Sequence, residues 1–521
     1  MNNPTEAKVL AASGRIPKQK VSDEIVIGKD VLELVTGAMY VDPLCIYREY
    51  VQNACDAIDE ARRDGLHPSG DAAKIEVFLN QTERSIRIRD NGIGIPNAEF
   101  IRCLTAIGGS QKRGKHLRGF RGVGRLSGLG YCQELVFRAR SKGDRAVPEI
   151  IWDGRKLKEL LRRTDYTGNL SDAVREIAEF SLLPNADFPP HFFEVELKKI
   201  TRLKNDVLLN EQEVRSYLSQ VAPVPFHPDF PFGEEIESFL KSYSIEGGFH
   251  VSLDDGNGQI YRPFRDTFPI SDKTEDRFQS LRPLTFLDTD GNTCAAGWTL
   301  DHSYFGAIPK RAPVAGLRLR AGNIQVGSAD LLAPLFTEQR FNAWCVGEFH
   351  VLSERILPNG RRDDFEPSVH YQHLQAQVTP LLRELSKTCR DRSALRNRLR
   401  QANMTVQSAR EALGLLAERS PPTFLVGFVE TRVKTALGNL EKLVAQNLRS
   451  MDHDLVQSQA EALTTDLEVA LKRVRRRSEL QGIHSTKQTA YENVLRLIYE
   501  LSPNVVEAHK LAAKIIQVLR K

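Results

Sequence analysis

The chain has 521 residues, 41% hydrophobic and 27% charged, with a formal charge of +5. That length exceeds what one hydrophobic core holds, so about two to four domains are expected. A charge this close to balance does not by itself argue for a nucleic-acid partner. The seven cysteines, at 45, 55, 103, 132, 294, 345 and 389, are scattered, odd in number and contain no CxxC pair. This argues against a disulfide framework or a zinc site and suits a reducing compartment. The stretch MNNPTEAKVLAASGRIPKQK lacks the apolar core of a secretory leader. No stretch approaches the ~18 apolar residues of a membrane span. The expectation is a cytoplasmic protein with no membrane contact.

In chain order, residues 1–20 are polar and expected to be flexible. From about 21 to 200, helical and strand patterns mix with glycine-rich loops. KIEVFLN (74–80) and SIRIRD (85–90) alternate as strands do, and LVFRARS (135–141) and HFFEVELKKI (191–200) read as further strands. An antiparallel sheet with helices on one face follows. NEQEVRSYLSQVAPVPF (210–226) is an amphipathic helix stopped by two prolines, a connecting helix within 201–230. Residues 231–373 are again mixed, with GLRLRAGNIQVG (316–327) as a hairpin. From 374 to 521 glycine and proline become rare. Leu381, Leu385, Leu395 and Leu399 give an imperfect helical seam, so a helical bundle or short coiled coil is expected, broken once by SPPTF (420–424). The fold class is α+β with an all-α C-terminal region.

Three stretches carry candidate chemistry. In YREYVQNACDAIDEAR (47–62), Glu49, Asn53 and Asp56 lie at i, i+4 and i+7, along one face of a helix. The bland alternative is a solvated polar stripe. In IRDNGIGIP (88–96), Asp90 ends a strand before Gly92 and Gly94. Asn-Gly between apolar runs is also the strongest short hairpin signal, so a plain turn competes with a binding loop. There a carboxylate would accept from an exocyclic amine, and the glycines would let a flat ring approach the backbone. The third stretch, IGGSQKRGKHLRGFRGVGRLSG (107–128), is rich in glycine and basic residues. Gly119, Gly122 and Gly124 give G-x-x-G-V-G ahead of a possible helix start, where backbone N–H groups can cradle phosphates. It is not a Walker A loop, since no G-K-[ST] closes it, and the βαβ context of a dinucleotide fold is missing.

Taken in order, these three stretches resemble the GHKL ATPase superfamily, which includes DNA gyrase, the ninety-kilodalton heat-shock chaperones, histidine kinases, MutL and the MORC proteins. Glu49, Asn53 and Asp56 match its E-x-x-x-N-x-x-D helix, Asp90, Gly92 and Gly94 its D-x-G-x-G motif, and GFRGVG (119–124) its second glycine motif. The resemblance implies an N-terminal Bergerat-type ATP-binding α/β sandwich over 21–200, and an α/β transducer-like middle domain over 231–373. It implies ATP and Mg²⁺ as cofactors. Glu49 would be the general base, Asn53 the Mg²⁺ ligand, and Asp56 a residue holding the helix from behind. Asp90 would bind the adenine amine, beside Gly92, Gly94 and Ile95, with Gly94 leaving room for the ring. Residues 108–124 would form a phosphate lid, with Ser110, Lys112, Gly119, Gly122, Val123 and Gly124 as its candidate contacts.

SERILPNGRRDDFEPS (353–368) resembles the end of the MORC and chaperone middle domain, where a basic residue reaches the γ-phosphate. Arg362 is the match, with a solvated basic turn as the alternative. One departure is that the chaperone Gly-Thr pair is missing from HFFEVEL. The resemblance implies an ATPase whose lid closure and homodimerisation act on DNA or on a client protein. An effector partner and a role in genome defence are suggested by MORC analogy alone. A basic run, LKRVRRRSELQ (471–481), is a candidate phosphate contact or a solvated face. A chaperone-like remodeller and a nucleotide sensor with little turnover are the alternatives. A histidine kinase fits poorly, since no histidine precedes the Glu49 helix.

Overall fold

The computed structural model describes residues 27–33, 42–67, 73–107, 124–245, 248–254, 258–417, 421, 423–445, 450–474, 480, 484–502 and 504–519. The chain divides into two compact units. One holds residues 1–303 and 307–384, the other residues 304–306 and 385–521. The architecture is α+β in the first and helical in the second.

The first sheet has seven strands in the order β5-β4-β3-β6-β2-β1-β7. These are β1 Lys74–Asn80, β2 Ser85–Asp90, β3 Glu134–Arg140, β4 Ala146–Asp153, β5 Ala178–Pro184, β6 Phe192–Lys198 and β7 His250–Leu253. All neighbours are antiparallel except β7, which runs parallel to β1. The sheet therefore takes its last strand from beyond the expected domain end at residue 200. β7 is only four residues long, too short to read as a strand by periodicity alone. Alternation sorts the two faces. Ile75, Val77, Ile86, Ile88, Leu135, Phe137, Val195 and Leu197 join one apolar core. Across the other face Arg138 donates to Glu149, Glu194 and Glu196, each at 2.8 Å, and Arg89 donates to Glu194 at 2.7 Å. Cross-strand charge pairing compensates the burial of Glu149 and Glu194 on that face.

Over the apolar face lies α1 (Cys45–Arg63), whose Ile46, Tyr47, Val51, Ala54, Cys55 and Ile58 are buried. Each such Ile or Val contributes about 1.5–3 kcal/mol by burial. Its end is fixed by Gly65, at φ +70°, with Leu66 N–H bonded to Ala61 C=O and Gly65 N–H to Arg62 C=O. That is a Schellman cap. The helices α2 (Asn97–Thr105), α3 (Gly154–Arg162), α4 (Leu170–Ile177) and α5 (Glu211–Val221) follow. The Asn210 side chain caps α5 by accepting from Gln212 and Glu213 N–H. Val214, Leu218, Ala222 and Val224 pack into the first core, so the connecting helix is part of this layer.

The second sheet orders β10-β11-β14-β12-β13, from Ser280–Leu287, Thr293–Asp301, Val346–Val351, Gly316–Ala321 and Ile324–Val326. The expected 316–327 hairpin is β12–β13. Ala321 pairs with Ile324 around Gly322 and Asn323, both at positive φ, as a type I′ turn requires. β8 (Thr267–Ser271) and β9 (Thr274–Arg277) form a separate hairpin. With α6 (Gly233–Lys241), this part closes an aromatic core around Phe226, Phe230, Phe264, Phe278 and Trp298.

The helical region comprises α7 (Val369–Gly414), α8 (Thr423–Val444), α9 (Ser450–Arg473), α10 (Ser485–Leu501) and α11 (Val505–Leu519). Pro380 lies inside α7 without ending it. SPPTF is one of several breaks and not the single one expected; helices also end at Val444, Arg473 and Leu501. Phe424, Phe428, Val433, Leu463, Leu495 and Tyr499 share one core. That is a packed helical bundle, the first of the two forms expected. The basic run at 471–481 falls largely outside the described residues.

Candidate functional site

The helix α1 does not present its polar residues to solvent. Glu49 and Asp56 are buried, 7% and 1% exposed, and Asn53 is half-buried. The solvated-stripe alternative is thereby excluded for Glu49 and Asp56. Buried carboxylates are retained only where partners compensate their desolvation. Arg48 Nη2 lies 3.5 Å from Glu49 Oε1, and Arg362 Nε lies 3.7 Å from the same oxygen.

Arg362 is itself 8% exposed and sits at φ +56° in the turn after β14. This left-handed residue is held by its surroundings. Its N–H donates to Asn359 C=O at 3.1 Å, and its own carbonyl accepts from Gly327 N–H at 2.9 Å. Arg48 adds the tie to α1, donating to the carbonyls of Arg361 at 2.9 Å and Arg362 at 3.3 Å. A non-glycine residue held at positive φ beside a buried carboxylate marks a site whose geometry is over-determined. The solvated basic turn describes Arg361, which is exposed, and not Arg362.

The other side of Glu49 is closed by Gly124. A Cβ there would lie 2.2 Å from Glu49 Oε2, so the backbone of the third glycine packs directly on the carboxylate. Gly124 opens a short 3₁₀ helix, Gly124–Gly130, at the possible helix start. Tyr50 pins that segment, its hydroxyl donating to Arg125 C=O and accepting from Gly128 N–H, both at 3.1 Å. Arg125 in turn donates to Ala106 C=O, joining the two flanks of the glycine-rich segment. Burial lowers the Arg125 guanidinium pKa. Ser110, Lys112, Gly119, Gly122 and Val123 lie outside the described residues.

At the end of β2, Asp90 is 4% exposed and accepts from Gly92 N–H at 2.8 Å. No hairpin forms. β2 pairs with β1 and β6, and residues 91–96 lead into α2. Asn91 serves the ladder, its side-chain oxygen accepting from Lys74 N–H at 2.7 Å. The loop is docked on α1 through Ile93 N–H to Ala57 C=O, and a Cβ on Gly92 would meet Ala57 at 2.7 Å. Gly94 is glycine for a different reason from open space for a ring. It has φ +72°, and its missing Cβ would sit 2.0 Å from Arg140 C=O. Ile95 packs against the core. His191 Nδ1 adds a contact to Gly92 C=O at 2.8 Å.

A family model described as histidine kinase-, DNA gyrase B-, and HSP90-like ATPase matches residues 47–177. This part of the chain is a GHKL-type ATPase domain. Among curated proteins, the chain is similar to the chaperone protein HtpG of Polaromonas naphthalenivorans, 30% identical over 152 residues, which is 26% of this chain and 24% of that protein. It is also similar to HtpG of Acinetobacter baylyi, 33% identical over 139 residues, covering 23% and 22% of the two chains. HtpG of Dechloromonas aromatica is 28% identical over 173 residues, covering 28% and 27%. The chain thus spans about a quarter of the length of these relatives.

The structure brings Glu49, Arg362 and Gly124 together, and it seats the Asp90 to Gly94 loop on the same helix. Sequence reasoning missed Arg48 and Tyr50 in the GHKL domain. Arg48 precedes the candidate base and reads as one more basic residue, while Tyr50 reads as apolar surface. Neither pattern reveals that its polar end reaches another segment. No helix among the described residues is long and apolar enough to cross a membrane.

Proposed function

We propose that this protein binds ATP with Mg²⁺ and hydrolyses it, with Glu49 as the general base that polarises the attacking water. The observation that carries this reading is the buried Glu49 carboxylate, bracketed by the Arg362 guanidinium at 3.7 Å and the Gly124 backbone. A base must be desolvated enough to work and held in one geometry. Asp90 would select adenine, its second carboxylate oxygen accepting from the exocyclic amine while the first holds Gly92. Gly92, Gly94 and Ile95 would wall the base, and residues 108–124 would cover the phosphates. Asn53 offers an amide oxygen on the Glu49 face of α1, the ligand type a hard cation takes. A cation shared with phosphates needs only one or two protein ligands. Asp56 would hold the helix from behind. Arg362 would stabilise transition-state charge as an arginine finger does.

Nucleotide-dependent closure and homodimerisation follow the GHKL reading, and the chaperone name of the HtpG relatives supports a client protein as the target. One observation favours DNA instead. Residues 385–521 carry 23 Lys and Arg against 14 Asp and Glu, a formal +9, while residues 1–384, with 49 against 53, carry −4. Such asymmetry suits a polyanion.

The test is ATP turnover by the full chain and by Arg362→Ala, each with duplex DNA, with an unfolded client protein, and alone. Loss of the finger is expected to lower kcat by about 10²-fold or more. Stimulation by one additive identifies the target class. Wild-type turnover in Arg362→Ala contradicts the role given to that residue.

A further inference from the structure

Between α5 and the second sheet lies a cluster of charge with no route to solvent. Arg262, Arg318, Arg320 and Glu348 are each no more than 2% exposed. Arg318 and Arg320 point from β12, and Glu348 from β14, its parallel neighbour in register with Arg318. Glu348 is the carboxylate at the centre. Arg262 Nη1 donates to its Oε2, and Arg320 Nη2 makes an ion pair with its Oε1 at 2.8 Å. Burial alone would raise the Glu348 carboxyl. The Arg262 and Arg320 guanidinium groups outweigh it and hold the pKa well below the usual carboxylate range. Arg262 is pushed down to about 10 by burial and by Arg320.

Other donors of these arginines reach Asn323, Pro313 and Val314 within the same part of the chain, and some hold one strap of backbone. Residues 220–225 read QVAPVP, and the two prolines remove backbone donors from a segment whose carbonyls still need partners. Arg320 donates to Gln220 C=O at 2.5 Å and to Ala222 C=O at 3.4 Å. Arg262 Nε donates to Val224 C=O at 3.1 Å, and Arg318 Nη2 to Gln220 Oε1 at 3.2 Å. The strap continues α5, which packs on α1 through Tyr217 beside Cys45 and Arg48. β14, on the other side of Glu348, continues into the turn whose Arg361 and Arg362 carbonyls bind Arg48. Glu348 therefore joins the two routes by which the second sheet reaches the Glu49 helix.

We propose that Glu348 is a positioning residue for nucleotide hydrolysis, locking the 220–225 strap to the second sheet through Arg262 and Arg320 so that the turn carrying Arg362 is held against Glu49. This rests on the ATPase reading above. Neutralising Glu348 leaves the Arg262 and Arg320 guanidinium groups without their shared anion, and the strap they hold shifts relative to β14. Nucleotide contacts are untouched, because no residue of the lock lies in the Asp90 loop or on α1.

The test is E348Q in the full chain, measured with wild type, Glu49→Ala, R362A and the E348Q/R362A double variant. Turnover of E348Q is expected to fall about tenfold or more, with affinity for a fluorescent ATP analogue within twofold of wild type. In the double variant the rate is expected to equal that of R362A, because Glu348 acts through Arg362. A purely structural role predicts independent, multiplying losses, and that result overturns the proposal. Wild-type turnover in E348Q also overturns it. If E348Q loses its cooperative melt, R320K takes its place. It keeps the charge but cannot span Glu348 and the strap carbonyls together, and the same outcomes decide. Turnover that depends on Glu49 but not on Glu348 or Arg320 rejects this proposal alone. A wild-type chain with no Glu49-dependent turnover rejects the ATPase reading and this proposal with it.

Discussion

Gly124→Ala isolates the geometry around the candidate base. The added Cβ would lie 2.2 Å from Glu49 Oε2, 3.1 Å from its Cδ and 3.5 Å from its Cγ, so all three nearest atoms belong to one side chain. Carbon and oxygen without a covalent bond settle near about 3.3 Å. The carboxylate must therefore move by about 1 Å or push the 3₁₀ segment away from α1. Backbone strain does not confuse the result, since Gly124 has no positive φ and opens a helical turn that alanine favours. A displacement of about 1 Å at a reacting group lowers the rate by about 10²-fold, equivalent to about 2.7 kcal/mol. The assay is steady-state ATP turnover beside nucleotide affinity by fluorescence titration. kcat is expected to drop by about that factor, with the melting temperature within a few degrees of wild type. A variant that folds, binds ATP and turns over at the wild-type rate refutes the placement of Glu49 as base.

Two further outcomes follow from individual side chains. Asp90→Asn keeps an oxygen for Gly92 N–H but turns a donor toward the adenine amine, so affinity for ATP is expected to fall about tenfold or more with the melt unchanged. Equal ATP affinity in titration calorimetry rejects Asp90 as the adenine contact. Burial pushes the His350 imidazole down to about 4, against partial compensation by Glu348. The unfolded chain, with an ordinary imidazole near about 6.5, binds the extra proton first as pH falls. Stability is therefore expected to decline between about pH 6.5 and 4, by about 3 kcal/mol in total. Urea midpoints that stay flat across that window in wild type, or that still decline in His350→Phe by the same amount, contradict the assignment.

The sequence made the machinery of the first sheet readable because each piece is local. β1 and β2 alternate strictly, and the helix around Glu49 and Asn53 shows its face in its own spacing. The loop at Asp90 announces itself through Gly92 and Gly94. What it concealed depends on distant segments. β7 is four residues whose role is set by pairing with β1, far upstream. Arg48 gains meaning only when the 361–362 carbonyls arrive, and Gly94 is dictated by the carbonyl of Arg140. The Glu348 lock joins residues from 220 to 348, so no window of sequence contains it. In the helical region, spacing announced helices correctly, but the helices end at Val444, Arg473 and Leu501 as well as before Thr423, so the single proline pair does not mark every break.

The most direct test is the isosteric variant Glu49→Gln, with bound ATP and hydrolysed ATP measured on the same sample. The amide keeps the size and packing of the carboxylate against Gly124 while removing its basicity. Nucleotide affinity is expected to stay within about threefold of wild type while turnover falls by about 10²-fold or more. Equal turnover in Glu49→Gln and wild type would contradict the account at its centre.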